Sequence, residues 1–294
     1  MLRRRSSQLP EGAPAPGDTL PMIHPPIRAA GATAAGRDAE PGGLRIRERL
    51  RAAGVHLGLS VGVAAAVLAL VFLAWYPMPL PALLGVEAIL LIMLGVDVVL
   101  GPLFTLLVFD RRKRSLKWDL ATIAAVQLAA LAYGVHTVYQ GRPAFVVFVK
   151  DRFEVVSPSD LQPEARSAAR SNPLAAIDPL RPRWVSARLP ESAEERSKIL
   201  FDALSHGRDV QHHPKLYVEY ASESGAVLER ALPIDRLRSL NPQRGAEIDA
   251  AIAATGRDAA TLRYLPIRGP ARDGAVLIDA ANGRIERVVA VAPW

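Results

Sequence analysis

The sequence predicts a membrane α-helical domain of three transmembrane helices followed by a soluble α+β domain with a mainly antiparallel sheet. Three observations carry this. Three long apolar runs lie between residues 57 and 139, and clusters of arginine and lysine sit at alternate ends of them. Beyond residue 140 the pattern changes to short β-branched runs and capped amphipathic helices. The predicted boundaries are a disordered tail over 1–43, a transmembrane domain over 44–140 and a periplasmic α+β domain over 141–294. Composition agrees: 50% of the 294 residues are apolar while 22% are charged, a mixture that one soluble domain does not show.

Residues 1–43 are Pro, Gly, Ala and Arg without a periodic apolar face, so no packed structure is expected there. Arg3, Arg4 and Arg5 are followed by no apolar core, which excludes a signal peptide reading. Residues 44–55 form a short basic lead-in helix. The first span, about 57–75, has no charged residue and ends in Trp75-Tyr76, an aromatic pair suited to the headgroup layer.

The second span, about 83–109, is longer than the roughly 20 residues that cross a bilayer core of about 30 Å. It should therefore tilt or bend. Pro102 supplies the bend, because its ring displaces the carbonyl of Val98 and it has no N–H to return; Gly95 and Gly101 flank the place. The third span, about 120–139, is diluted by Gln127, Tyr133, His136 and Tyr139.

Arg45, Arg47, Arg49 and Arg51 precede the first span, and Arg111, Arg112, Lys113, Arg114 and Lys117 join the second to the third. The short YPMPLP turn after the first span has neither Lys nor Arg. By the positive-inside rule the two basic segments are cytoplasmic, which puts everything after residue 140 outside, in the periplasm of a bacterium. The formal charge of +7 and pI near 10.0 follow from these juxtamembrane residues, so nucleic acid is not expected as a partner. With zero cysteines, disulfides, Cys-ligated zinc and thiol catalysis are excluded.

Two features of the spans point to contacts. Gly54, Gly58, Gly62 and Ala66 recur every four residues and make a smooth stripe on which another helix can approach closely. Packing inside the protein's own bundle and docking of a foreign transmembrane helix are both open. Gly58 to Gly62 also matches G-x-S-x-G, but Ser60 inside a span cannot form the strand–turn–helix elbow of a hydrolase. Asp97 near a bilayer centre costs about 2.5–3.5 kcal/mol and requires a partner. Gln127, Tyr133 and His136 are candidates. A polar clasp in the bundle, contact with a partner's membrane helix, and ion or proton passage remain open.

In the soluble part, residues 144–150 and 153–156 read as a hairpin about a Lys150-Asp151 turn. A helix is expected over 159–170, and another begins at a Ser192/Glu195 capping box, continues through Ile199, Leu200, Ala203 and Leu204, and stops at Gly207. Residues 216–220 and 226–229 read as strands about a Ser222–Gly225 turn. Asn241-Pro242 opens a helix with Ile248 and Ile252 on one face, ended by Gly256. Residues 262–267, 275–279 and 284–291 are strands, the last two joined at an Asn-Gly turn.

Little chemistry is visible. His206, His212 and His213 cluster, without a carboxylate at helical spacing to complete a metal site, and read as a surface loop. There is no Walker loop or dinucleotide fingerprint. No catalytic, cofactor-binding or metal residues are assigned.

The segment LGVDVVLGPLFTLLVFD, the following KRSLKWDLATIAAVQLAALAYGVHTVYQGRPAFVVF, the DRFEVV hairpin with SDL after it, and the Pro293-Trp294 end resemble type IV pilin accessory proteins of the TfpX/TfpZ kind. The likeness covers about 55–294 and is most specific over 95–161. It implies a non-enzymatic inner-membrane factor that helps assembly of a particular type IV pilin subunit, with other inner-membrane pilus-assembly proteins and membrane lipid as further partners. On that reading Gly58, Gly62, Asp97, Gly101 and Pro102 are the partner-binding residues. The alternative is a transporter component or a membrane-bound enzyme with a periplasmic domain.

Overall fold

The computed structural model describes residues 42–294; the tail expected to be disordered lies outside the described residues up to residue 41, and Gly42 and Gly43 already belong to the first helix. That helix, α1 (Gly42–Leu70), runs on through a π turn, Val71–Trp75, so the basic lead-in and the first span are one rod. No proline interrupts it. Three stretches, Arg45–Trp75, Val86–Val108 and Leu116–Gln140, are long and apolar enough to cross a membrane.

The chain does not simply turn after Tyr76. It forms a short helix, α2 (Leu80–Leu84), ended by Gly85 in the left-handed conformation at φ 69°, and only then enters α3 (Val86–Gly95). The second span therefore starts at Val86 rather than at residue 83, because Leu80 and Leu83 are drawn into the soluble domain. A π turn over Val96–Leu100 joins α3 to α4 (Gly101–Val108), and α5 (Leu116–Gln140) is the third span. Glu48 pairs with Arg111 at 3.4 Å, and Tyr76 Oη donates to the Val138 carbonyl at 2.8 Å. These contacts put both basic segments at one end of the bundle, and α2 with the whole soluble domain at the other.

The hairpin expected next is present as β1 (Phe145–Val149) and β2 (Arg152–Val156), with Lys150 at φ 60° in its turn. Then come α6 (Pro163–Ala168), β3 (Arg183–Ala187), α7 (Ala193–His206), β4 (Tyr217–Glu219), α8 (Ser224–Arg230), β5 (Leu232–Pro233), α9 (Ile234–Leu240), α10 (Gly245–Ala253), β6 (Leu262–Arg268), β7 (Gly274–Asp279) and β8 (Ile285–Val289). The sheet runs β4-β3-β1-β2-β6-β7-β8, with β5 beside β6. It is mixed: β1–β3 and β2–β6 are parallel and the other pairs antiparallel.

Four expectations change. Residues 226–229 are helix α8 and not a strand; Ala, Leu and Glu favour helix, and a single inward residue, Val227, is enough to pin one turn onto the sheet. The helix expected over 159–170 shrinks to α6, because Ser157 and Asp160 form a capping box around a separate 3₁₀ turn. Ser192 accepts from the Glu195 N–H, but the reciprocal half of that box is missing and Glu195 pairs with Lys215 at 3.2 Å. Leu200 and Leu204 do not enter the core; Ile199 is the buried residue of α7.

Alternation along the strands makes two apolar faces. Phe145, Val147 and Val149 point to one side, where Ile199 and Val210 cover them. On that same side α9 and α10 cover Tyr264 and Leu277 with Leu237, Ile248 and Ile252. Val146, Phe148, Phe153, Ile267, Val276 and Ile278 face the other way. That second face is covered by Val227 of α8 and by Leu80 and Leu83 of α2. The Leu83 carbonyl also accepts from the N–H groups of Ala271 and Arg272, at 3.0 and 3.2 Å. Gly269 is required there, since a Cβ would lie 2.7 Å from the Arg272 carbonyl and against that of Leu83.

Truncating Leu83 should open a cavity in this layer and cost about 2–5 kcal/mol. Leu83→Ala is thus expected to lower the thermal unfolding temperature in detergent, whereas Leu73→Ala, at an 85% exposed position, should not.

Candidate functional site

The expected kink is a π turn, and it organises the interior of the bundle. In that turn the amide at position 102 would reach the carbonyl five residues back, that of Asp97; proline has no N–H to offer. Gln127 of α5 supplies the missing donor, its Nε2 lying 3.2 Å from the Asp97 carbonyl. Gly101 makes room, because a Cβ there would lie 2.6 Å from Gln127 Cδ. Asp97, Gly101, Pro102 and Gln127 therefore form one clasp joining the second and third spans.

The Asp97 carboxylate is 7% exposed, and neither of its oxygens, nor Gln127 Oε1, has a hydrogen-bond partner among the described residues. Tyr133 and His136, the other expected partners, are exposed on the far side of α5. Gln127, Leu131, Gly134 and Val138 recur at intervals of four, three and four, and this is the stripe that α5 turns inward. That spacing was available in the sequence and separates Gln127 from the two excluded candidates. Sequence reasoning missed His56, whose Nδ1 lies 2.6 Å from Thr105 Oγ1 across α1 and α4.

The five residues proposed to bind a partner do not share a face. Asp97, Gly101 and Pro102 are buried in the bundle, whereas Gly58 and Gly62 are exposed. A Cβ built at Gly54, Gly58 or Gly62 meets nothing within 4 Å. The stripe thus does not pack within the protein's own bundle; Ser60, Ala64 and Val71 carry α1's inward contacts.

On the sheet side, the hairpin lies centrally in the sheet, with β1 buried throughout, so it offers little surface beyond its turn. Three exposed apolar residues cluster on α7, where Leu200, Phe201 and Leu204 are 61, 69 and 80% exposed; Leu180, Leu189 and Trp294 are exposed elsewhere in the sheet domain. A cleft of about 380 Å³ separates sheet and bundle, lined by Tyr76, Leu84, Glu154, Asp160, His212 and Arg268. Burial raises the Glu154 carboxyl above its ordinary range, opposed by Arg268, whose Nη1 is 3.8 Å away.

The histidines are not a plain surface loop. Asp202 stands one helical turn before His206 and its carboxylate lies 2.9 Å from His206 Nδ1, a spacing the sequence reading overlooked. Asp202 also pairs with Arg208 at 2.6 Å, and that hydrogen bond holds its carboxyl below the usual range. His212 and His213 are half-buried, and burial pushes both imidazoles below 6.5. No group of three or more His, Asp or Glu among the described residues is placed to hold a metal ion.

The family described as "Fimbrial assembly protein FimB" matches residues 44–85, which carry α1 with its open stripe and the docking helix α2. A fimbrial assembly protein of serogroup I from Dichelobacter nodosus is 31% identical over 222 residues, covering 73% of this chain and 84% of that protein. The chain belongs to this fimbrial assembly protein family. The serogroup E1 fimbrial assembly protein of the same organism is 30% identical over 222 residues, with the same coverage of both chains. A third relative, for serogroups C1 and C2, is 36% identical over 110 residues, which make up 37% of this chain and 84% of the relative. No solved structure matches.

Two outcomes follow from the geometry. Gly101→Val should force Gln127 away from the clasp and destabilise the bundle by about 1–3 kcal/mol, whereas Asp97→Leu, which removes an unpartnered carboxylate, should leave stability in detergent equal or higher. Thermal unfolding of the two variants checks both. For the histidines the sign is set by burial: the unfolded chain binds more protons than the folded one as pH falls below 6.5. Their contribution is complete above that pH and is lost as pH drops through the lowered values. His212→Gln with His213→Gln should flatten the fall in stability measured between about pH 7.5 and about pH 5.

Proposed function

We propose that the chain is a non-catalytic inner-membrane accessory factor for type IV pilus assembly, and that it binds a specific pilin subunit and stabilises or presents it. In this reading the basic end of the bundle is cytoplasmic and the sheet domain periplasmic, an orientation that the arginine distribution supports. The observation that carries the binding role is the open glycine stripe on α1, within the segment that the family match covers. Small residues allow close backbone approach of a second apolar helix, which in lipid supplies van der Waals contact that larger side chains would prevent.

The subunit's membrane helix lies along Gly58 and Gly62, and its periplasmic part meets the apolar surface of α7. Because α2 ties the sheet to the bundle, the second contact forms at high effective concentration once the first is made. Asp97, Gly101 and Pro102 act from inside, by holding the spans that support α1.

Gly58→Leu with Gly62→Leu is expected to leave the protein folded and at normal abundance, since those positions meet nothing in its own chain. Surface filaments should be lost, and photocrosslinking from positions 58, 62 and 201 should capture pilin in the parent protein. Wild-type filament numbers in the double variant, with no pilin captured from any of the three positions, would overturn the reading.

A further inference from the structure

A cleft of about 740 Å³ opens between α1, α4 and α5 at the basic end of the bundle, and neither the stripe glycines nor the residues of the Asp97 clasp line it. Its walls divide by chemistry. Val55, Leu59, Leu120 and Ala124 form a largely apolar trough, in which the polar side chains of His56 and Thr105 hydrogen-bond to each other, while Arg51 and Arg111 stand on the rim with Glu48. Arg111 is paired with Glu48 at 3.4 Å, so the one carboxylate among the described residues that line the cleft is already compensated and Arg51 adds positive charge there. Four further basic residues of the 111–117 segment crowd the same end.

An apolar trough that runs along three spans and ends at arginines has the polarity of one amphiphile. We propose that the cleft binds an anionic phospholipid, with its phosphate on Arg51 and Arg111 and an acyl chain along Val55, Leu59 and Ala124. Charge complementarity argues for this occupant. A zwitterionic lipid would gain nothing from that added charge, and a bare apolar helix would desolvate it. Arginine suits the role because its planar fork can give two parallel hydrogen bonds to phosphate oxygens. The inference rests on the membrane reading given above but not on pilin binding. Bound lipid would fill the space between three helices and so brace α1 at the end opposite the sheet.

The test uses full-length protein, purified in mild detergent, stripped of lipid and then offered phosphatidylglycerol, phosphatidylcholine or inorganic phosphate, with retained molecules counted by native mass spectrometry. One phosphatidylglycerol should be kept at least tenfold better than phosphatidylcholine. Arg51→Gln with Arg111→Gln should erase that preference, and Ala124→Trp, which fills the trough without changing charge, should reduce retention of both lipids. Arg47→Gln with Arg114→Gln removes the same charge away from the cleft and should change nothing, while Glu48→Gln should strengthen retention. Equal retention of the two lipids, or undiminished preference in the Arg51/Arg111 variant, would overturn the site. So would displacement by inorganic phosphate with no effect of Ala124→Trp, which would mean a surface anion site, or a second protein chain found in the cleft. Carbonate extraction of native membranes reads the membrane assignment separately: protein that stays in the pellet yet shows no lipid preference refutes the cleft alone.

Discussion

The structure hangs on the seating of a five-residue helix, Leu80–Leu84, into a sheet that begins more than sixty residues later. Leu80 and Leu83 are both buried against that sheet, and full burial of each contributes about 1.5–3 kcal/mol. The Leu83 carbonyl meanwhile satisfies two backbone N–H groups of the β6–β7 connection. Apolar burial and paired backbone groups at one spot make a joint with no slack. Gly85, at φ 69°, lets the chain turn back into the second span directly behind it. The bundle and the sheet domain therefore share a core layer, where a flexible linker would have left them independent.

Inside the bundle a different economy applies. Helices in lipid gain little from excluding water, so they are joined by close approach and by satisfying backbone groups that something has disturbed. Pro102 disturbs one, the π turn directs the vacancy to the Asp97 carbonyl, and Gly101 admits the amide of Gln127 that fills it. The carboxylate at the same residue is carried along without a hydrogen-bond partner of its own. What reads in the sequence as an acid seeking a counterpart is, in the fold, a main-chain oxygen repaired by a neighbour.

Much of this was legible from residue patterns, and the failures have physical causes. The three spans, the Lys150 hairpin, the Gly207 and Gly256 stops and the Asn282-Gly283 turn follow from hydropathy and local chemistry, which tertiary context does not override. The role of residues 77–85 was hidden, since three prolines and three leucines in so short a stretch look like a tight turn, and their partner strands are remote. β3 was also hidden: Arg183–Ala187 has only Val185 and Ser186 fully inward, and no alternation marks a strand between two parallel and antiparallel neighbours. At the site, Gly58, Gly62, Asp97, Gly101 and Pro102 stand out in the sequence, but periodicity along one helix cannot say which neighbour it faces, and the structure splits them between the bundle interior and an open face. The inward stripe of α5 decides that, and it turns Gln127 in and Tyr133 and His136 out.

The shared layer also imposes an order on biogenesis. Residues 80–84 leave the ribosome before any strand of the sheet exists, so the α2 leucines must be in place when Val276 and Ile278 look for something to pack against. A chain begun at residue 141 would carry every strand yet present a bare patch where the α2 leucines belong, and it would self-associate for want of them. Completion of the sheet domain is thereby made conditional on the prior placement of α2, so the first half of the molecule inspects the second.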